Sequence, residues 1–318
     1  MRLAESAIWL VRSVILVLGS PRSGTTWLAK IIDSHPTILY RHEPDEIREP
    51  RADLDPASQI AEWIAERRLP VCGTRPFFHK SWRPAPIGLA HMALVGGLKV
   101  AMHLPVVGEG LARCSLPDLI ATKRQTKARA LIKLVNWSGI PAARALPDSR
   151  SLLIMRHPCA QVDSVLRGAS EPMWTVHDDW LKPIAYAALH GIDLPTFRAL
   201  PDAAKYAWAW RAFNEAALEG LESLPNAKLV IYENLCVQSE TVVRDVFSFA
   251  GLTWNAQTAK FLAASTNQQK AGYFSVFRNS AAMIDRWRIR MAPDAQAQVR
   301  SVVRESPLVR YWPDLTEP

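Results

Sequence analysis

Cysteine is scarce in this chain. The four present, Cys72, Cys114, Cys159 and Cys236, form no C-x-x-C pair and no dense spacing, so neither a zinc site nor a disulfide framework is indicated. An apolar stretch long enough to cross a bilayer is also missing. The N-terminal run "AIWLVRSVILVLG" is broken by Arg12 and falls short of the ~20 residues a span requires, so it reads as a first strand and implies a cytoplasmic protein. Basic residues exceed acidic ones, with a net charge of +8 and a pI near 9.5, but the arginines are scattered. That argues against a nucleic-acid-binding tail and leaves an acidic glycan, a membrane surface or a polyphosphate-like cofactor as anionic partner, with a solvated surface accounting for most of the excess. There is no internal repeat and no polar tract to read as disordered, since apolar residues make up 49% of the chain and charged residues 21%.

What is present is an alternation. The β-branched and apolar runs "SVILVL" (13–18), "ALIKLV" (130–135), "SLLIM" (151–155) and "KLVIY" (228–232) end in turn signals, with helical spacing between and after them. This pattern predicts an α/β fold with a parallel sheet and crossover helices. "TTWLAKIIDSH" continues the first run as a helix, and "CAQVDSVLRG" follows the third run in the same way, up to Gly168. At 318 residues the chain reads as one domain, 1–318, with irregular, substrate-facing insertions at about 44–125 and 169–205. The last third reads as helical, with a loop around "QQKAGYFSVFRNS".

The most informative segment is "ILVLGSPRSGTTWLAKII". Gly19, Gly24, Thr25 and Thr26 give G-x-x-x-x-G-T-T, the spacing of the phosphate loop G-x-x-x-x-G-K-[ST], but Thr25 stands where a nucleoside-triphosphatase has its lysine. Backbone amides and a helix N-terminus still make an anion site there. Arg22 can restore the missing charge.

"PRSGTTW" resembles the 5′-phosphosulfate loop of the PAPS-dependent sulfotransferase family, which transfers a sulfuryl group from 3′-phosphoadenosine 5′-phosphosulfate (PAPS) on a P-loop NTPase-like, three-layer fold. A phosphosulfate needs cradling, without a γ-phosphate or magnesium ion to grip. The resemblance implies PAPS as co-substrate, no required metal, and donor contacts from Arg22, Ser23, Gly24, Thr25, Thr26 and Trp27, with Trp27 stacking on adenine. Arg156 and Ser164 in "RHPCAQVDS" resemble the family's 3′-phosphate site, an arginine at a strand end and a serine on the next helix. Tyr232, Arg278 in "SVFRNSAAMIDRWR", and Ser265 with Thr266 in "AASTNQQK" resemble further nucleotide contacts.

Sulfuryl transfer needs a base for the acceptor and cations for the departing phosphate. Arg22 is the first cation and Lys133, at the end of an inner strand, the second. For the base, Glu43 in "HPTILYRHEP" resembles the carboxylate of carbohydrate and tyrosylprotein sulfotransferases. His103 in "KVAMHLP" is the rival, similar to the histidine of the cytosolic branch, and His42 adjoins Glu43. Two other readings stay open, an ATP-dependent P-loop kinase or ATPase and a non-catalytic nucleotide- or glycan-binding module. The first is disfavoured by the absent lysine and by "SLLIM" ending in Arg156 instead of a magnesium-binding aspartate. The acceptor expected is a hydroxyl or amine on a carbohydrate, peptide or small molecule. Alanine, arginine and proline usage points to a bacterial source.

Overall fold

A computed structural model describes residues 14–47, 51–65, 68–70, 78–82, 84–101, 115–117, 128–168, 181–267 and 281–316. His103, Arg278, Cys72 and Cys114 lie outside them. Five strands build the main sheet: β1 (Ile15–Leu18), β2 (Ile38–His42), β3 (Arg129–Leu134), β4 (Arg150–Met155) and β5 (Ala227–Ile231), in the order β2-β3-β1-β4-β5. The sheet is parallel and flanked by helices, the α/β fold class predicted from the alternating pattern. Every residue of β1 is buried, as are five of the six in β3 and in β4, which is why these strands read as continuous apolar runs and not as an alternating pattern.

The chain divides into two compact units, with the boundary passing through β4. One comprises residues 1–18, 26–152 and 244–261; the other comprises 19–25, 153–243 and 262–318.

In the first unit, β3 pairs with both β1 and β2, with Val17 and His42 each level with Lys133. Helix α1 (Thr25–Asp33) buries Trp27, Leu28, Ile31 and Ile32, an i, i+1, i+4, i+5 stripe that faces the core. The predicted insertion at about 44–125 contains regular structure. A short helix covers Pro44–Ile47, α2 covers Pro56–Ala65, a further helix covers Ala85–Ala101, and Arg68–Pro70 pairs antiparallel with Ser115–Pro117. In α2, Ile60, Trp63 and Ile64 recur at helical spacing and are buried.

In the second unit, α3 (Pro158–Gly168) follows β4 and is buried along most of its length. The described part of the second expected irregular stretch is also helical, at Leu181–Ala188 and Leu194–Ala199. The latter is capped by Asp193, whose side chain accepts from the Thr196 amide. The 21-residue helix α4 (Asp202–Glu222) comes next, and β5 then runs into α5 (Tyr232–Val237).

Candidate functional site

The sequence-predicted residues form two clusters, one in each unit. The loop from Gly19 to Thr25 belongs to the second unit. Its backbone is bent by Arg22 at φ +69° and Gly24 at φ +103°, and the Ser23 amide closes a turn on the Ser20 carbonyl at 3.2 Å. Positive-φ residues at alternate positions are a backbone pattern that suits an anion nest. Glycine is required at position 24 twice over. Its φ suits only glycine, and a Cβ there would lie 2.4 Å from the Tyr232 ring. At Gly19 a Cβ would lie 2.7 Å from both the Ile154 carbonyl oxygen and Ser23 Oγ.

Side chains from β4 and α3 fix this loop. Arg22 Nε donates to Ser164 Oγ at 3.1 Å, and Arg156 Nη1 donates to the Arg22 carbonyl at 3.2 Å. The Arg156 guanidinium lies over the Tyr232 ring, 4.6 Å from its centre, and the Arg156 carbonyl accepts from Trp210 Nε1 at 3.0 Å. Burial raises the Tyr232 phenol above its ordinary range, against the opposing pull of Arg156, so the ring stays neutral. Arg22, Ser23, Gly24, Arg156, Ser164 and Tyr232, far apart in sequence, are thus brought together.

Sequence reasoning missed Gln161. Its Nε2 donates to Ser20 Oγ at 2.7 Å and to the Pro21 carbonyl at 2.8 Å, tying the loop to α3. The available signal was its place one helical turn before Ser164.

Two donors in this cluster are buried without a hydrogen-bond partner, Ser23 Oγ and Arg156 Nε. A buried unsatisfied polar group costs ~1–3 kcal/mol. Phosphate or phosphosulfate oxygens are acceptors of the charge and size that would satisfy both, so these residues fit an anionic nucleotide.

Ser265 and Thr266 correct an expectation. They stand near the end of the helix α6 (Ala256–Asn267), not in a loop, and their hydroxyls donate to the Leu262 carbonyl at 3.1 and 2.9 Å. The late loop was expected to carry them, but back-bonding to the preceding helical turn is compatible with the helix continuing through them. Of the C-terminal Trp-Arg pair, Trp287 is buried and stacks on His157 at 4.6 Å. Arg288 donates to Asp285 at 2.9 Å and to Asp314 at 2.8 Å.

The second cluster lies in the first unit. Register places His42 level with Lys133, and the Glu43 amide extends the ladder by donating to the Lys133 carbonyl at 3.0 Å. Glu43 then takes φ +44°, which turns the chain into the helix that begins at Pro44. Lys133 is only 2% exposed, so it is not a strand-end lysine in water. Its ammonium holds the Glu43 carboxylate and donates to Thr26 Oγ1 at 2.7 Å. Arg41, a possible surface partner for Glu43, instead donates to the Trp63 and Ile64 carbonyls at 3.0 and 2.9 Å.

His42 lies between Tyr40 Oη, 2.7 Å from Nδ1, and Glu43 Oε2, 3.5 Å from Nε2. Burial, then the Lys133 charge, push the imidazole down to about 3, so it is neutral at physiological pH. On α1, burial pushes the Asp33 carboxyl up, but Lys30 at 2.9 Å and Lys80 at 2.8 Å outweigh it and hold the group below the usual carboxylate range. Trp27 is 7% exposed. No group of three or more metal-ligating side chains occurs among the described residues.

The parallel α/β sheet thus carries a lysine-free loop bonded to Arg156 and Ser164 in one unit and a lysine-held glutamate in the other. Residues 14–256 match the family model described as "Sulfotransferase family", and the chain belongs to that family. It is a PAPS-dependent sulfotransferase. Among curated proteins it is similar to human carbohydrate sulfotransferase 1, at 21% identity over 92% of this chain and 77% of that protein. Among solved structures it is similar to the sulfotransferase domain of the curacin biosynthetic pathway, with 14% identity, coverage of 92% and 96%, and a TM-score of 0.48. It is also similar to a mouse sulfotransferase complexed with PAP, with 14% identity, coverage of 96% and 88%, and a TM-score of 0.49.

Proposed function

We propose that this sulfotransferase acts on a hydroxyl, or an amine, of a carbohydrate-like acceptor, with Glu43 as the base and with Arg22 and Lys133 as the cations that receive charge from the departing phosphate. The observation that carries the reading is backbone strain. Among the described residues only two non-glycine residues have a left-handed φ, Arg22 and Glu43. Such conformations cost ~1–3 kcal/mol each and persist where function pays for them. The similarity to a carbohydrate sulfotransferase, together with the Glu-Pro step at 43–44, favours a sugar over an aryl acceptor. A cytoplasmic, single-domain enzyme that works without a metal is part of the same reading.

The acceptor oxygen forms a bond to sulfur as the bond from sulfur to the 5′-phosphate oxygen breaks, and the acceptor proton passes to a Glu43 carboxylate oxygen. Glu43 is held ionised for this step by the Lys133 ammonium. The nest amides, Ser23 Oγ and Arg22 bind the 5′-phosphosulfate. Arg156 and Ser164 bind the 3′-phosphate, Tyr232 and Trp27 contact the nucleoside, and Thr25 and Thr26 sit at the N-terminus of α1, where an anion is favoured.

Transfer from labelled PAPS to a panel of sugars, tyrosyl peptides and phenols tests this. Label on a sugar by the parent protein and none by Glu43→Gln is the expected result. Label on phenols alone, or turnover that survives Glu43→Gln, would overturn it.

A further inference from the structure

We infer that Tyr40 and His42 form a positioning pair for Glu43, in which Tyr40 donates to His42 Nδ1, fixes the imidazole as its Nε2–H tautomer, and so aims that N–H at the second carboxylate oxygen of Glu43. The inference rests on Glu43 being the base. The geometry dictates the tautomer. His42 Nε2 faces Glu43 Oε2 at 3.5 Å, and an ionised carboxylate only accepts, so the proton belongs on Nε2. A neutral ring then has a lone pair on Nδ1, and the Tyr40 hydroxyl at 2.7 Å must be the donor. The opposite tautomer would set the Nε2 lone pair against a carboxylate oxygen.

The surroundings of His42 favour the neutral ring on balance. On its own strand His42 meets Tyr40 and Glu43; from β3 it faces Lys133, and from α1 it feels Lys30 and Asp33. Glu43 and Asp33 pull the imidazole towards protonation, but burial and the two lysines prevail and keep it neutral. Lys30 Nζ lies 4.6 Å from the centre of the Tyr40 ring, where a cation draws electron density from the phenol and strengthens its hydroxyl as a donor. The Tyr40 and His42 rings meet edge to face at 5.7 Å, which fixes their mutual orientation.

The pair gives Glu43 a held position without a second cation. One carboxylate oxygen is taken by Lys133. A charged imidazole on the other would depress the carboxyl further and weaken it as a base, whereas a neutral N–H orients it at less cost in basicity. Tyr40 and His42 touch neither donor nor acceptor in this account; they act through Glu43.

The test uses the full chain, and its spectroscopic arm needs no acceptor. Imidazole nitrogen spectra, with the His42 signals assigned by their loss in His42→Gln, read the tautomer, and carboxyl carbon spectra, with Glu43 assigned by Glu43→Gln, read its titration. The expected result is a neutral Nε2–H ring from about pH 5 to about pH 8, and mixed tautomers in Tyr40→Phe. The Glu43 midpoint should rise by roughly half a unit to one unit in His42→Ala, and return in His42→Gln, whose amide nitrogen can replace Nε2 as donor. An Nδ1–H ring in the parent, or a midpoint unmoved in His42→Ala, overturns the pair. If His42→Ala does not fold, Tyr40→Phe decides through the tautomer. Turnover that survives Glu43→Gln would overturn the base and with it the pair's catalytic purpose, whereas the wrong tautomer beside an inactive Glu43→Gln overturns the pair alone.

Discussion

The two clusters solve opposite problems. The loop cluster of the second unit is rich in donors: nest amides, Arg22, Arg156 and Ser23, with Ser23 Oγ and Arg156 Nε buried and unsatisfied. The cluster of the first unit supplies its own acceptors. Lys133 holds Glu43, Lys30 and Lys80 hold Asp33, and His42 is neutral between Tyr40 and Glu43. A region short of acceptors is built to receive an anion. A region whose carboxylates are each held by lysine suits the proposed role of Glu43 as a base kept ionised and aimed. Stability and binding should therefore respond in opposite senses to substitutions in the two places.

The largest effect expected is that of Glu43→Gln, which should cut transfer by about 100- to 10,000-fold while the affinity for adenosine 3′,5′-bisphosphate stays within about twofold, read by labelled transfer and calorimetry. Arg156→Ala should do the reverse and weaken bisphosphate binding by ~2–3 kcal/mol, because a charged hydrogen bond to phosphate is lost. Unchanged affinity would remove Arg156 from the donor site. Gly24→Ala should lower stability by ~1–3 kcal/mol, since φ +103° is strained for alanine and the Tyr232 ring must move. A parent-like melting temperature would contradict that.

A smaller effect comes from His42. Its folded-state pKa of about 3 lies below the ordinary 6.5, so the unfolded chain takes up a proton that the folded one refuses. The stability contributed is present above pH 6.5 and is lost as pH falls towards about 3. Denaturation midpoints between about pH 6.5 and about pH 5.5 should show a loss of ~1 kcal/mol that is absent in His42→Gln. Smallest is Ser23→Ala, which should weaken bisphosphate by ~1 kcal/mol yet leave the melting temperature equal or higher, because a buried unpaired hydroxyl has been removed. A fall in both would show that Ser23 serves the fold.

The strands were legible because a sheet buried on both faces leaves apolar, β-branched runs, and the loop was legible because phosphate cradling needs glycine and hydroxyl residues at fixed spacing. Lys133 and Glu43 were legible as candidates, but their pairing depends on the parallel register of β2 on β3, which joins residues 90 apart in sequence. Gln161 and Tyr40 were missed for a similar reason. Each acts through a side-chain hydrogen bond to another residue, and only Gln161 left a hint, its place one helical turn before Ser164. Helices and loops were expected in the first insertion, but their bounds were blurred by its prolines, although Ile60, Trp63 and Ile64 carry the helical period. Ser265 was assigned to the late loop, whereas α6 continues through it to Asn267.

The central claim is that the loop cluster is a donor site made for a nucleotide bisphosphate and not for a triphosphate with its magnesium. Calorimetric titration of the full chain with adenosine 3′,5′-bisphosphate and, separately, with ATP–magnesium tests it most directly. Tight binding of the bisphosphate with little or none of ATP–magnesium is the predicted result; preference for ATP–magnesium would contradict it.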